Sequence, residues 1–170
     1  MKRRITRVIL GSLVALTLSL GSPSGPSFSS AERPAPSSER WLPPIATPLA
    51  PVRHFDLPGG PYQAGHRGID VPATHGQLVR APSDGVVSFV GMVVDRPLIS
   101  LRTAPDTVVT LEPVESTLLV GETVRRGATL GTVAEGGHCE SRCLHLGVRV
   151  NDSYVNPLRF FWAKPVLLPW

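Results

Sequence analysis

The chain has 170 residues, room for one domain of ordinary size, and 42% of them are apolar, enough to bury a core. Its 18 prolines and 16 glycines favour turns and short strands over long helices. The net charge of +4 comes from the amino-terminal end. Setting aside Lys2, Arg3, Arg4 and Arg7 leaves 13 of the 17 basic residues against 13 acidic ones, which removes the support for a nucleic-acid partner held by phosphate neutralisation.

The basic start is followed by Val8–Leu20, apolar except for Gly11 and scattered Ser and Thr. A short apolar run behind positive charge is the signature of a secretory signal, and it is short for a membrane span, which needs about 20 apolar residues. Residues 1–31 are therefore read as a signal segment, with small residues suited to cleavage at Ser29-Ser30-Ala31 and around Gly21–Ser24. No cysteine follows the run to carry a lipid anchor. The expectation is an exported protein of the cell wall or extracellular space, without a stable membrane span once the signal is removed. Residues 32–51, rich in Pro, Ser and Ala, read as a tether. Trp41-Leu42 is the one place in it that offers a docking contact.

From Val52 the texture changes, and residues 52–162 read as the folded domain, with 163–170 as a tail. Short β-branched runs recur at Val52–Phe55, Leu78–Ala81, Gly85–Val90, Leu98–Leu101, Val108–Leu111, Thr129–Val133 and Leu144–Val150, separated by Gly, Pro, Asp or Ser. This spacing predicts an all-β fold, a compact antiparallel sandwich or barrel-like sheet core. Val120–Gly127 interrupts the pattern as a turn-rich connection.

Within this domain His66-Arg67-Gly68-Ile69-Asp70 carries a chemical signal. Residues four apart on an extended segment share a face, so the His66 imidazole and the Asp70 carboxylate project together, with Gly68 leaving room between them. Both are good ligands for zinc. Alone, the pair is a weak signal.

The surroundings strengthen it. His66–Val71, then Gly76–Ala81 and Asp84–Val87, then Val120-Gly121-Glu122-Thr123-Val124 with Gly127 and Gly131-Thr132-Val133, then Cys143-Leu144-His145 and Asn156-Pro157-Leu158 occur in order at matching spacing. Together they resemble the lysostaphin/LytM-type zinc endopeptidases, peptidoglycan hydrolases with a duplicated-hybrid-motif β-sheet core. The resemblance covers roughly Val52–Phe161. It implies one zinc ion on His66, Asp70 and His145, where the family has the first-motif His and Asp and the second His of His-x-His. Three protein ligands leave a fourth position open, the layout of a catalytic rather than a structural zinc site. The implied substrate is the peptide cross-link of peptidoglycan.

Two departures stand against a simple transfer. The first His of His-x-His is Cys143 here, and the family's other helper histidine falls on Glu112, or on Pro113 with a one-residue slip. Both helper histidines are absent. Glu112 is the candidate general base, since a carboxylate beside an activated water is chemically competent; the alternative has it end a strand and face solvent. Cys143 has two readings: a disulfide with Cys139, favoured in an exported chain, or a thiolate that closes the zinc site. Bridging residues four apart requires the loop to curl until the Cα atoms are within about 7 Å, which Gly136-Gly137 upstream permits. His138 sits near the site as a candidate substrate contact or stand-in for a helper, against the plainer reading of a solvated loop residue. Arg67 and Arg149 are candidates to meet acidic groups of a cell-wall peptide. His54 and His75 carry no site role. The lost helpers imply weakened or altered catalysis, and they also support a different class of function: a non-catalytic domain that binds the cell wall or regulates another cell-wall hydrolase.

Overall fold

The computed structural model describes residues 40–162, apart from positions 46, 47, 58, 61, 62 and 141. The expected signal at 1–31, positions 32–39 of the expected tether and the tail at 163–170 lie outside the described residues. Ten strands follow in chain order: β1 (Ile69–Pro72), β2 (Leu78–Arg80), β3 (Gly85–Val93), β4 (Arg96–Ala104), β5 (Thr107–Glu112), β6 (Val114–Glu115), β7 (Thr123–Val124), β8 (Thr129–Val133), β9 (Cys143–Val150) and β10 (Ser153–Val155). One short helix, α1 (Leu158–Phe161), comes after them. Among the described residues no helix is long and apolar enough to cross a membrane. The all-β expectation is met: a seven-stranded antiparallel sheet runs β1-β9-β5-β4-β3-β7, with β10 on β9, and a three-stranded sheet runs β2-β8-β6.

Both sheets contribute to one apolar core. Leu144, Leu146 and Val148 alternate on β9, and Val109 and Leu111 do so on β5. Val79, Leu130 and Val133 come from the smaller sheet. Burying each such side chain contributes about 1.5–3 kcal/mol. A one-residue slip of β9 would trade three of them for His145, Gly147 and Arg149, so the core fixes the register. The same alternation turns His145, Gly147 and Arg149 to the other face, beside Glu112, Thr110 and Val108 of β5.

Two expectations are corrected. Val52–Phe55 is not a full strand: only Arg53 pairs with Asp70 and Asp56 with His66, as isolated bridges. The His54 carbonyl between them is spent on the His66 ring, not on a neighbouring strand. In the stretch read only as a turn-rich connection, Thr123 and Val124 form β7, which pairs with Val86 and Gly85 of β3.

The segment before Val52 also contributes. Trp41 is 7% exposed, stacks on Phe160 at 4.4 Å and meets Phe161 edge-on at 5.8 Å. Trp41 N donates to Phe160 O, Leu42 N to Pro82 O, and Arg80 N to Pro44 O. Residues 40–45 thus close one end of the core.

Candidate metal centre and substrate groove

Asp70 and His145 are directly paired across β1 and β9, and Glu112 is paired with His145 across β5 and β9. Residues opposite one another in an antiparallel sheet point to the same side. Three adjacent strands therefore deliver Asp70, His145 and Glu112 in one row. His66 precedes β1 and is held by reciprocal backbone hydrogen bonds with Asp56 (2.7 and 2.9 Å).

The His66 ring is oriented by its far side. Its Nδ1 donates to the His54 carbonyl at 2.8 Å, so a neutral His66 presents a bare Nε2 to the cluster. That Nε2 is 3.0 Å from Asp70 Oδ1 and 3.1 Å from His145 Nδ1, and His145 Nδ1 is 2.7 Å from the same carboxylate oxygen. His66 and Asp70 are 4% and 3% exposed. Three electron-rich atoms converging in a buried place need shared protons or a cation. Ligand atoms about 2.0–2.1 Å from one ion lie roughly 3.3 Å apart in a tetrahedron, close to the spacing found here. The residues fit a metal ion, and the donor set of two imidazoles and a carboxylate suits zinc.

Gly68 is part of the same construction. A Cβ at this position would meet the Leu146 carbonyl and lie 2.6 Å from Cε1 and Nε2 of His145. Only a residue without a side chain lets the His145 ring lie beside the His66–Asp70 segment.

A fourth group reaches the cluster. His138 Nε2 lies 3.0 Å from Asp70 Oδ2, and its ring is 5.2 Å from that of His145. His138 sits in a short 3-10 turn, Gly137–Cys139. Cys139 and Cys143 form a disulfide with Cα atoms 4.9 Å apart, which ties this turn to the start of β9. Cys143 is thus bonded to sulfur and offers no thiolate to a metal. Gly136 (φ 106°) and Gly137 (φ 61°) carry the loop tightly past the β3–β4 hairpin, where a Cβ on either would collide with Asp95 or Arg96. Burial works against ionisation of Asp70, but hydrogen bonds from His145 and His138, with their charge, outweigh it and hold its carboxyl at about 2.

Glu112 is 12% exposed in its side chain and does not project into bulk solvent; Arg96 Nε lies 3.2 Å from its Oε2, in ion-pair range without hydrogen-bond alignment. Glu112 raises the Arg96 pKa in turn. The sequence reading missed Arg96, because the pairing depends on how the β3–β4 hairpin turns back beside β5. Its signal was slight: a basic residue two positions after the exposed Val94. His54 acts through its carbonyl, and His75 is exposed and is not among the residues lining the groove beyond the cluster.

Beyond the cluster the sheet face opens into a groove of about 770 Å³, whose lining includes His66, His138, His145 and Glu112. Its far half is lined by Ser100, Thr110 and Gly147, then by Arg102, Val108 and Arg149. Arg67 stands at one edge, with its guanidinium carbon 5.9 Å from the centre of the Tyr154 ring.

Known proteins share this fold and its sequence pattern. The uncharacterized protein Rv2891 of Mycobacterium tuberculosis is 33% identical over 131 residues, covering 74% of this chain and 53% of the relative. A second uncharacterized protein of that organism, Rv3786c, is 36% identical over 116 residues, covering 65% of this chain and 28% of the relative. The chain spans about half the length, or less, of these curated relatives. Among solved structures, the catalytic domain of the antimicrobial peptidase lysostaphin from Staphylococcus simulans aligns with a TM-score of 0.58 at 19% identity, covering 66% of this chain and 92% of that one. A zinc-containing peptidase from Vibrio cholerae aligns with a TM-score of 0.61 at 17% identity, covering 74% and 40% respectively. At these identities the likeness is one of fold. The family model described as Peptidase family M23 matches residues 64–157, more than half of the chain and the whole span from His66 to His145, and the chain belongs to that family.

Proposed function

We propose that this protein is an exported zinc endopeptidase that cuts the peptide cross-links of peptidoglycan. The observation that carries the reading is the convergence of His66 Nε2, Asp70 Oδ1 and His145 Nδ1 at the head of an open groove. These three side chains would hold the ion. Zinc supplies Lewis acidity there, polarising a peptide carbonyl and acidifying water. The protein's own part is positional. The His54 carbonyl sets the tautomer of His66, and Gly68 admits the His145 ring. The Glu112 carboxylate, in the same cross-strand row and steered by Arg96, accepts the proton of the attacking water. The basic, apolar amino terminus supports export, as does a disulfide suited to an oxidising compartment. The family membership and the lysostaphin fold support peptidoglycan as the substrate.

One observation favours a second reading, a non-catalytic domain that binds the cell wall or regulates a separate hydrolase. His138 completes a set of four donors, His66, Asp70, His138 and His145, with ligand atoms within 4.8 Å of one another. Four protein ligands close a zinc site. Incubating zinc-loaded protein with purified peptidoglycan and searching for new amino termini by mass spectrometry decides between them. The peptidase reading predicts new termini that vanish in His145→Ala. Retention on peptidoglycan without new termini overturns it in favour of the second.

A further inference from the structure

We infer that the far half of the groove is a docking site for carboxylate groups of the peptide, read by Arg102 and Arg149. The inference deepens the peptidase reading above and rests on it for the identity of the ligand as a peptide.

Register builds the site. Val108 of β5 pairs with Arg102 on one side and Arg149 on the other, so both arginines share a row and point to the groove face. They lie two strand spacings apart, roughly 10 Å. The next row toward the metal cluster is Ser100, Thr110 and Gly147. Ser100 and Thr110 bond each other at 2.7 Å, and Gly147 has no side chain, so this row is low and uncharged. Beyond it comes the row of Glu112 and His145. From His145 to Arg149 is four residues along β9, roughly 13 Å, which an extended peptide covers in about four residues. A peptide lying along this floor with its reacting bond at the cluster therefore carries a group three to four residues away between the two guanidiniums.

Charge says what that group is. Five arginines, Arg53, Arg67, Arg96, Arg102 and Arg149, line the groove, and Glu112 is its only acidic lining residue among those described. The chain beyond its first seven residues is balanced in charge, so this concentration is local. Arg96 is engaged with Glu112 and Asp95. Arg102 donates to the Pro105 carbonyl at 3.3 Å and has no acidic partner among the described residues. The acidic partner of Arg149 among the described residues is Asp152 at 3.9 Å, whose side chain is almost fully exposed and screened. Each contact engages a single Nη1, and a guanidinium carries five N–H donors, so both forks keep donors beyond these contacts. A carboxylate there gains charge-assisted, bidentate hydrogen bonds, which a neutral bridge such as oligoglycine cannot return.

The test uses the mature full chain, metal-free and zinc-loaded, with two synthetic peptidoglycan stem peptides that differ only in whether their carboxylates are free or amidated. Binding to the metal-free protein, followed by calorimetry, isolates recognition from cleavage. The free-acid peptide should bind at least about tenfold more tightly, with an advantage that shrinks as salt rises. The Arg102→Gln/Arg149→Gln double variant should lose that preference while keeping the wild-type circular dichroism spectrum and zinc affinity. Equal binding of the two peptides, or a preference that survives in the double variant, overturns the inference. Cleavage by the zinc-loaded protein is read separately. Preferential binding without cleavage keeps this site and removes the peptidase reading, whereas cleavage of both peptides at equal kcat/KM does the reverse.

Discussion

Asp70 and His145 face each other across the β1–β9 pair, with the carboxylate Oδ1 2.7 Å from the imidazole Nδ1, although 74 residues of chain separate them. Their meeting follows from the core. Ile69 and Val71 flank Asp70, Leu144 and Leu146 flank His145, and all four are at most 2% exposed. Packing these four apolar side chains on one face leaves Asp70 and His145 paired on the other. The site is thus held by interactions much larger than its own, and a substitution in it can change chemistry without unfolding the sheet.

Acid should expose the debt that folding owes to Asp70. Its carboxyl is held at about 2, below the ordinary 3.8, so the ionised form favours the folded state. That contribution is fully present above pH 3.8 and is lost as pH falls toward about 2. It is at most about 2–3 kcal/mol. Denaturant unfolding of the metal-free protein should show stability declining across this window, with a flatter decline in Asp70→Asn. The same slope in wild type and variant would contradict the assignment.

Gly68→Ala should damage the centre selectively. The added Cβ meets the Leu146 carbonyl and the His145 ring, so the imidazole has to move. Zinc affinity should fall by about 10- to 100-fold, the range typical of lost positioning around a metal. The circular dichroism spectrum should stay that of wild type. Unchanged affinity would show that the ring tolerates displacement.

Trp41→Ala should destabilise the whole domain, by about 3–5 kcal/mol for an aromatic removed from a packed site. Thermal unfolding measures this directly, and a chain begun at Val52 should suffer at least as much. A shift of less than about 1 kcal/mol would mean that residues 40–45 dock without supporting the core.

His138 decides whether the centre is open or closed. X-ray absorption fine structure at the zinc edge counts imidazole ligands. The peptidase reading expects two, from His66 and His145, with His138 bound to Asp70 Oδ2 outside the coordination shell. Three imidazoles, falling to two in His138→Ala, would establish the closed centre. Reduction of Cys139–Cys143 should act in the same direction as His138→Ala, because the disulfide ties the His138 turn to β9.

Much of this architecture is legible in the sequence. Alternation along Leu144–Val150 and Val108–Leu111 marks both strands and the face each buries, since an antiparallel sheet with one packed face imposes period two. Gly68 reads in the sequence as room between His66 and Asp70, whereas the space it leaves is filled by the ring of a neighbour, His145. That His145 is the neighbour came from the order of motifs, because no local pattern specifies that β1 pairs with β9. Elsewhere the information is tertiary. Trp41 looks like an isolated aromatic in a proline-rich stretch until Phe160 and Phe161 fold back against it. His138 looks like a loop residue until the disulfide bends its turn toward Asp70. Val52–Phe55 has strand composition but lacks a partner along its length, because only Arg53 and Asp56 reach the segment of His66 and Asp70.

Zinc titration of the purified metal-free protein by calorimetry asks whether His66, Asp70 and His145 form a metal centre. One ion should bind per chain. Affinity should fall at least about a thousandfold in His66→Ala, Asp70→Ala and His145→Ala, each still folded by circular dichroism, since each removes a direct ligand. Wild-type affinity in any one of these three folded variants, or no binding of zinc by the wild-type chain, would rule the centre out.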